Sequence, residues 1–190
     1  DTDRSRGLGD VYKRQSQDSP WSSWYNFQQW PDRYESWWGI YSLPAVNEHD
    51  PSYREFIFGG ENSVVRRWLR AGADGWRLDV ADELPDDFVQ GVHAAARAEK
   101  PDAVVIGEVW EDGSTKVAYG VRRRHILGGH CDGLMNYPFR GAALAYLRGG
   151  DARDFMEAME TLRENYPPAA FYSAMNFLGT HDTPRILTLL

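Results

Sequence analysis

Cys131 is the only cysteine in 190 residues. No internal disulfide can form, a cysteine-ligated zinc site has no companion thiol, and a reducing compartment, with it a cytoplasmic location, is favoured. Basic residues are in deficit: 21 Lys and Arg face 28 Asp and Glu, for a formal charge of -7. That balance argues against nucleic acid as a partner and suits a neutral ligand. No apolar run reaches membrane-spanning length, so no membrane partner is expected. The paired glycines Gly59-Gly60 and Gly128-Gly129 lack the spacing and the lysine of a phosphate-cradling loop. His49, His125, His130 and His181 stand in unrelated contexts, so the residues themselves imply no metal centre and no cofactor.

What is present is a series of apolar segments that end in charge. The stretch from Ala71 to Glu83 reads A-G-A-D-G-W-R-L-D-V-A-D-E. A helix running up to Leu69 or Arg70, with Asn62 or Ser63 as its cap, is stopped by Gly72, and Ala73 to Val80 follows as a short buried strand delivering Asp79. Arg77 and Asp79 are two apart, so a strand points both to one side and the arginine fork can hold the carboxylate ionised. Two uses compete for such a pair: a nucleophile kept charged, or a buried tie between strands. Ala103 to Trp110, A-V-V-I-G-E-V-W, is a second apolar run, of the kind a parallel strand buried on both faces needs, with Glu108 at its carboxyl end. Ala174 to Arg185, A-M-N-F-L-G-T-H-D-T-P-R, is a third, ending in His181 and Asp182 with Pro184 placed to begin a helix. Strands that each deliver a carboxylate at the C-terminal end, with helical segments between, are how a (β/α)8 barrel assembles a site.

These stretches resemble the alpha-amylase superfamily, glycoside hydrolase family thirteen, and within it the neopullulanase and cyclomaltodextrinase-like members. G-W-R-L-D-V-A-D-E is similar to that family's strand-four motif, V-I-G-E-V-W to its strand-five motif, F-L-G-T-H-D to its strand-seven motif, and L-P-A-V-N at Leu43 to Asn47 to a segment near the end of its domain B. The resemblance implies Asp79 as nucleophile, Glu108 as general acid/base and Asp182 as the acid that stabilises the transition state, with Arg77, His181 and Trp110 on the sugar. It also implies a retaining glycosidase acting on alpha-1,4 bonds of malto-oligosaccharides, cyclomaltodextrins or pullulan, with alpha-1,6 cleavage using the same residues. A glucan transglycosylase and a non-catalytic alpha-glucan-binding protein are the alternatives; all three acids are present, which disfavours the second. Retention needs one ionised and one protonated carboxyl roughly 5 to 5.5 Å apart, and charge from Asp79 and Asp182 is expected to keep a proton on Glu108. Where amylases commonly carry Lys-His after the nucleophile, this chain has Asp82 and Glu83. Glu83 fits the neopullulanase-like branch and Asp82 departs from it. Calcium, which some relatives hold between domain B and the barrel, is not expected here because the histidine contribution is replaced by Glu83.

The resemblance runs from about Ser19 to Leu190, and the family's strand-three motif is missing ahead of Trp21. The expected fold is therefore α/β, a fragment of a (β/α)8 barrel holding strands four to seven, since complete barrels take roughly 250 residues. Residues 1–18 read as an unmatched segment, 19–60 as the end of domain B and 61–190 as the partial barrel, whose open sheet edges would be prone to association. Between Pro20 and Tyr53 the chain is dense in aromatic rings broken by Pro31, Gly39, Pro44 and Pro51. Such rings either pack on one another or lie against sugar; Trp37 and Trp38, being adjacent, are expected to point opposite ways. Beyond Glu83, Pro85, Asp86, Asp87 and the Phe88, Val92, Ala96 spacing predict a helix, with His93 on its surface. Residues 111–120 read as a loop, Arg122 to Arg124 as a solvated face or local ion-pair network, and Cys131 to Tyr137 as the sixth strand with Asp132 structural. Phe139 to Tyr146 and Ala152 to Leu162 read as helices.

Overall fold

The computed structural model describes residues 16–190, so most of the unmatched segment read over 1–18 lies outside the described residues. The chain divides into two compact units, Asp1–Gly60 and Glu61–Leu190.

In the first unit, regular structure is short because proline and glycine interrupt every run. Strands β1 (Phe27–Gln29) and β2 (Arg33–Tyr34) pair antiparallel with Phe27 opposite Tyr34. Asp50 caps helix α1 (Pro51–Arg54) by accepting the Tyr53 N–H, and Pro51 occupies the first turn, where no N–H is needed. The chain continues as a π turn over Glu55–Gly59. Rings supply the cohesion: Trp24 lies 4.7 Å from Trp21 and 5.2 Å from both Tyr53 and Phe56, centroid to centroid. Trp37 and Trp38 do not diverge as the sequence suggests. They stack at 4.7 Å with planes 13° apart, because Trp38 takes a left-handed φ of 49° that swings its ring back over its neighbour.

The second unit is built on parallel strands with helices between. Helix α2 (Val64–Arg70) buries Val65 and Leu69, and Gly72 at φ 107° ends it where a side chain would be strained. Ser63 takes the N-cap position, but its buried hydroxyl makes no capping bond. The chain then enters β3 (Gly75–Leu78), crosses through α3 (Asp86–Glu99) and returns as β4 (Val104–Gly107). The two strands pair in parallel with Arg77 opposite Ile106 and Leu78 opposite Gly107. Phe88, Val89, Val92, Ala95 and Ala96 form the buried stripe of α3, at the spacing of one helix face.

The segment 109–132 is not a plain loop. It contains a hairpin of β5 (Val117–Ala118) and β6 (Val121–Arg122), turned by Tyr119 and Gly120 at φ 52° and 76°. Strand β7 (Gly133–Leu134) adds in parallel to β4, giving the order β3-β4-β7. The expected next strand is reduced to one parallel bridge, Met135 to Met175. Its backbone pairs on one side only among the described residues, and side-chain contacts do the rest: Asn136 Nδ2 donates to Asn176 Oδ1 at 2.8 Å and Arg140 Nε to the Leu178 carbonyl at 3.2 Å. The order nonetheless matches strands four to seven of a (β/α)8 barrel, and the fold is that partial barrel-like α/β arrangement with an irregular region ahead of it.

Helices α4 (Tyr137–Leu147), α5 (Ala152–Asn165), α6 (Pro168–Tyr172) and α7 (Ile186–Leu189) complete the unit. Asn136 and Asp151 cap the first two by accepting N–H bonds from Phe139 and Arg153. Asp132 lies at the amino end of the sheet, as its structural reading requires: it accepts the Val105 N–H at 2.8 Å and bonds Arg97 at 2.5 Å. His93 is not a free surface residue. It is half-buried, with Nε2 3.3 Å from the same carboxylate. Burial pushes the Cys131 thiol up to about 12, so it is an inert core group. No described helix is long and apolar enough to cross a membrane.

Candidate active site

Arg77, the third residue of β3, and the residues that follow the carboxyl ends of β3 and β4 create the site. Asp79 leaves the sheet one residue beyond β3 and Glu108 one residue beyond β4, so the parallel register sets the two acids side by side. Arg77 reaches both. Its Nη1 donates to Asp79 Oδ1, and its Nη2 lies 2.8 Å from Glu108 Oε1. The second approach is an ion pair without hydrogen-bond alignment. Arg77 Nε meets Met135 Sδ at 3.5 Å, a contact from just past the end of β7 on the far side of β4. The cation assigned from sequence to Asp79 is therefore shared between two acids.

The two carboxylates differ in access. Asp79 is 74% exposed, whereas Glu108 is 4% exposed. Glu108 is also the more tightly placed: its Oε2 accepts the Val80 N–H at 2.9 Å and its Oε1 faces the Tyr137 hydroxyl at 3.3 Å. Its own backbone joins the strand ends, with Glu108 N–H donating to the Leu78 carbonyl at 2.9 Å and Ala81 N–H to the Glu108 carbonyl at 3.1 Å. One acid is thus open to a reacting atom and the other is sheltered and fixed.

Tyr137 is the residue that sequence reasoning missed. It stands at the start of α4, two residues past the Met135 bridge, and the strand-end rule that selects Asp79 and Glu108 applies to it equally although it carries no charge. Its ring is sandwiched, with Trp110 stacked at 4.1 Å and 13° and Phe177 edge-on at 4.8 Å. Burial pushes its phenol up, as do the Glu108 and Asp182 carboxylates, against a bond with Thr180. Trp110, half-exposed, lies against Tyr137 and offers a ring face at the site.

The third acid lies on the turn 180–183, where its charge acts on the Tyr137 phenol. The turn 180–183 is closed by the Thr183 Oγ1 that accepts the Thr180 N–H at 2.9 Å, and the Asp182 N–H donates to Thr180 Oγ1 at 3.2 Å. His181 Nε2 lies 3.3 Å from Asp182 Oδ2, and His181 is 77% exposed. Asp79, Arg77, Glu108 and Tyr137 therefore form one continuous run of contacts across neighbouring strand ends. No group of three or more His, Cys, Asp or Glu side chains among the described residues is placed to hold a metal ion.

Comparison with known proteins identifies the family. The family model described as alpha amylase, catalytic domain, matches residues 9–190. An amylopullulanase from Thermoanaerobacter thermohydrosulfuricus is 35% identical over 196 residues, covering 90% of this chain and 12% of that protein. A cyclomaltodextrinase from Geobacillus thermopakistaniensis is 30% identical over 180 residues, covering 90% of this chain and 28% of that protein. Among solved structures, the cyclic alpha-maltosyl-(1→6)-maltose hydrolase from Arthrobacter globiformis superposes with a TM-score of 0.79 at 29% identity, over 96% of this chain and 40% of that one. The chain thus spans well under half the length of these relatives. With three acid-bearing motifs in order, parallel strands that deliver two of those acids side by side, and a family match over nearly its whole length, this chain belongs to the alpha-amylase catalytic-domain family.

Proposed function

We propose that the protein carrying this chain is a retaining glycosidase that cleaves alpha-1,4 and alpha-1,6 glucosidic bonds in malto-oligosaccharides, cyclomaltodextrins or pullulan by double displacement. The observation that carries the reading is Arg77 held between an open carboxylate, Asp79, and a buried one, Glu108, at neighbouring strand ends. Asp79 attacks the anomeric carbon and forms a glycosyl ester while Glu108, in its protonated form, gives its proton to the leaving oxygen. Glu108 then takes a proton from water as that water attacks the ester, and Asp79 leaves as a carboxylate. Asp182 stabilises the positive charge that develops on the sugar ring between these steps. Arg77 orients the nucleophile, His181 contacts the sugar, and Trp110 offers it a rigid apolar face. Residues 19–60 are assigned to the end of domain B and 61–190 to the partial barrel. The support is the motif order, the shared strand-end geometry and the kinship with hydrolases of alpha-glucans.

The test is Asp79→Asn in the protein carrying this chain, assayed on maltotriose and pullulan. Turnover is expected to fall by about 10⁶-fold, the scale on which loss of a nucleophile acts, with an unchanged melting temperature because Asp79 is exposed. Retention of most of the turnover would remove Asp79 from the mechanism.

A further inference from the structure

Asp82 occupies the position where the family commonly places a sugar-contacting lysine, yet it turns away from the reacting acids into the protein. It lies in the short 3-10 turn Ala81–Glu83, three residues after Asp79, with its side chain 17% exposed. His125, 1% exposed, donates from Nε2 to Asp82 Oδ1 at 3.0 Å, and Lys116 Nζ lies 3.1 Å from Oδ2. Lys116 also pairs with Glu111, next to Trp110. Arg123, itself buried, donates to the Asp82 carbonyl and lies 3.3 Å from Asp86. Each of these three partners, Lys116, Arg123 and His125, belongs to the excursion that carries the β5-β6 hairpin.

The turn so held needs holding. Val80, between Asp79 and Asp82, has φ 42° and ψ 55°. A β-branched residue in the left-handed region is strained and persists only where surrounding contacts over-determine it. Glu108 supplies contacts on one side, through the Val80 and Ala81 N–H groups. The Asp82 cluster supplies them on the other. Relaxation of Val80 would move Asp79 and release the N–H that Glu108 accepts, and a misplacement of about 1 Å at a reacting group can cost roughly 10²-fold in rate.

We propose that Asp82 is a positioning residue for the glycosidase reaction: through His125 and Lys116 it latches the strained turn behind Asp79 to the hairpin excursion and so sets the geometry of both acids. This inference rests on the glycosidase reading. A latch acts on turnover, whereas a sugar contact at the same position would act on substrate binding.

The experiment measures kcat and KM for maltotriose, per folded molecule, in the protein carrying this chain and in Asp82→Asn, Lys116→Met, His125→Gln and the Asp82→Asn/His125→Gln pair. Expected is a ten- to hundredfold fall in kcat for Asp82→Asn with KM within about twofold, the same pattern for the other two, and a pair no worse than its weaker member because the residues act as one unit. Lys116→Met leaves the buried His125 bond in place and carries the kcat test should Asp82→Asn not fold. A raised KM with kcat kept would make Asp82 a sugar contact and overturn the latch. A lowered melting temperature with both constants unchanged would reduce the cluster to a structural tie and also overturn it. Asp79→Asn is measured alongside: were it to keep its turnover, the glycosidase reading and the latch would both fall, whereas its loss with silent Asp82 variants removes the latch alone.

Discussion

Asp132 and Glu108 sit at opposite ends of the same parallel sheet, and each meets a cationic partner, but the two clusters are finished differently. At the amino end, Asp132 is closed: Val105 N–H, Arg97 and His93 all point at it, and Arg97 is tied again to the Pro101 carbonyl at 2.6 Å. At the carboxyl end, the Arg77 fork is divided between two acids, and one of them, Asp79, is left 74% exposed. A carboxylate whose bonding capacity is consumed by protein holds strands together. One that is oriented by an arginine and left open to the outside is available to a substrate atom. The same chemistry, Asp with Arg, therefore closes on itself at one end of the sheet and stays open at the other, where we propose the site, and the difference is in what remains unsatisfied.

The comparison breaks first at Glu108. Glu108→Gln keeps the shape and the bond from Val80 N–H but cannot donate or accept a proton, and turnover on maltotriose should fall by about 10² to 10⁴-fold, the range of general acid-base catalysis. A Glu108→Gln enzyme with full turnover would show that the carboxyl end is as structural as the amino end. Asp132→Ala should do the opposite. It leaves the Val105 N–H unpaired inside the sheet and the partners Arg97 and His93 facing nothing, at a cost of about 1 to 3 kcal/mol, read as a lowered denaturant midpoint with kcat of the folded fraction unchanged. Loss of kcat without loss of stability would reverse the assignment.

The smallest effect sharpens the contrast through pH. Burial raises the Asp132 carboxyl, but the bonds from Val105, Arg97 and His93 outweigh it and hold the group below its ordinary 3.8. A folded value depressed below the unfolded one contributes stability that is complete above about 3.8 and disappears as pH falls through the folded value. Acid titration of stability should accordingly be steeper below pH 4 in the natural protein than in Asp132→Asn, by roughly a proton's worth of slope. Equal slopes would mean that Asp132 gains nothing from its partners.

Much of this was legible in the chain. The apolar runs ending at Asp79 and Glu108, the stop at Gly72 and the stripe of Phe88, Val92 and Ala96 emerge as expected, because each depends on residues near in sequence. Where neighbours on both sides are needed, the reading overreached: Ala174 to Arg185 has the composition of a strand but holds one bridge. Residues 111–120 read as a loop, yet the Tyr119-Gly120 turn pairs Val117–Ala118 with Val121–Arg122 in a hairpin of two residues a side, too short to show a strand period. His93 looked like a surface residue because its partner, Asp132, is 39 positions away.

The sequence by itself determined which side chains emerge at strand ends, since period and apolar content depend only on local order, and it thereby determined the family to which those motifs belong. Tertiary structure alone decided what those side chains meet: that Arg77 serves Glu108 as well as Asp79, that the Tyr137 hydroxyl faces Glu108, and that Asp82 faces His125. The physical reason is separation. The contacts at Tyr137 and Asp82 span 29 and 43 residues, and a charge or a hydroxyl has no preference among distant partners until the parallel register of β3, β4 and β7 sets them side by side.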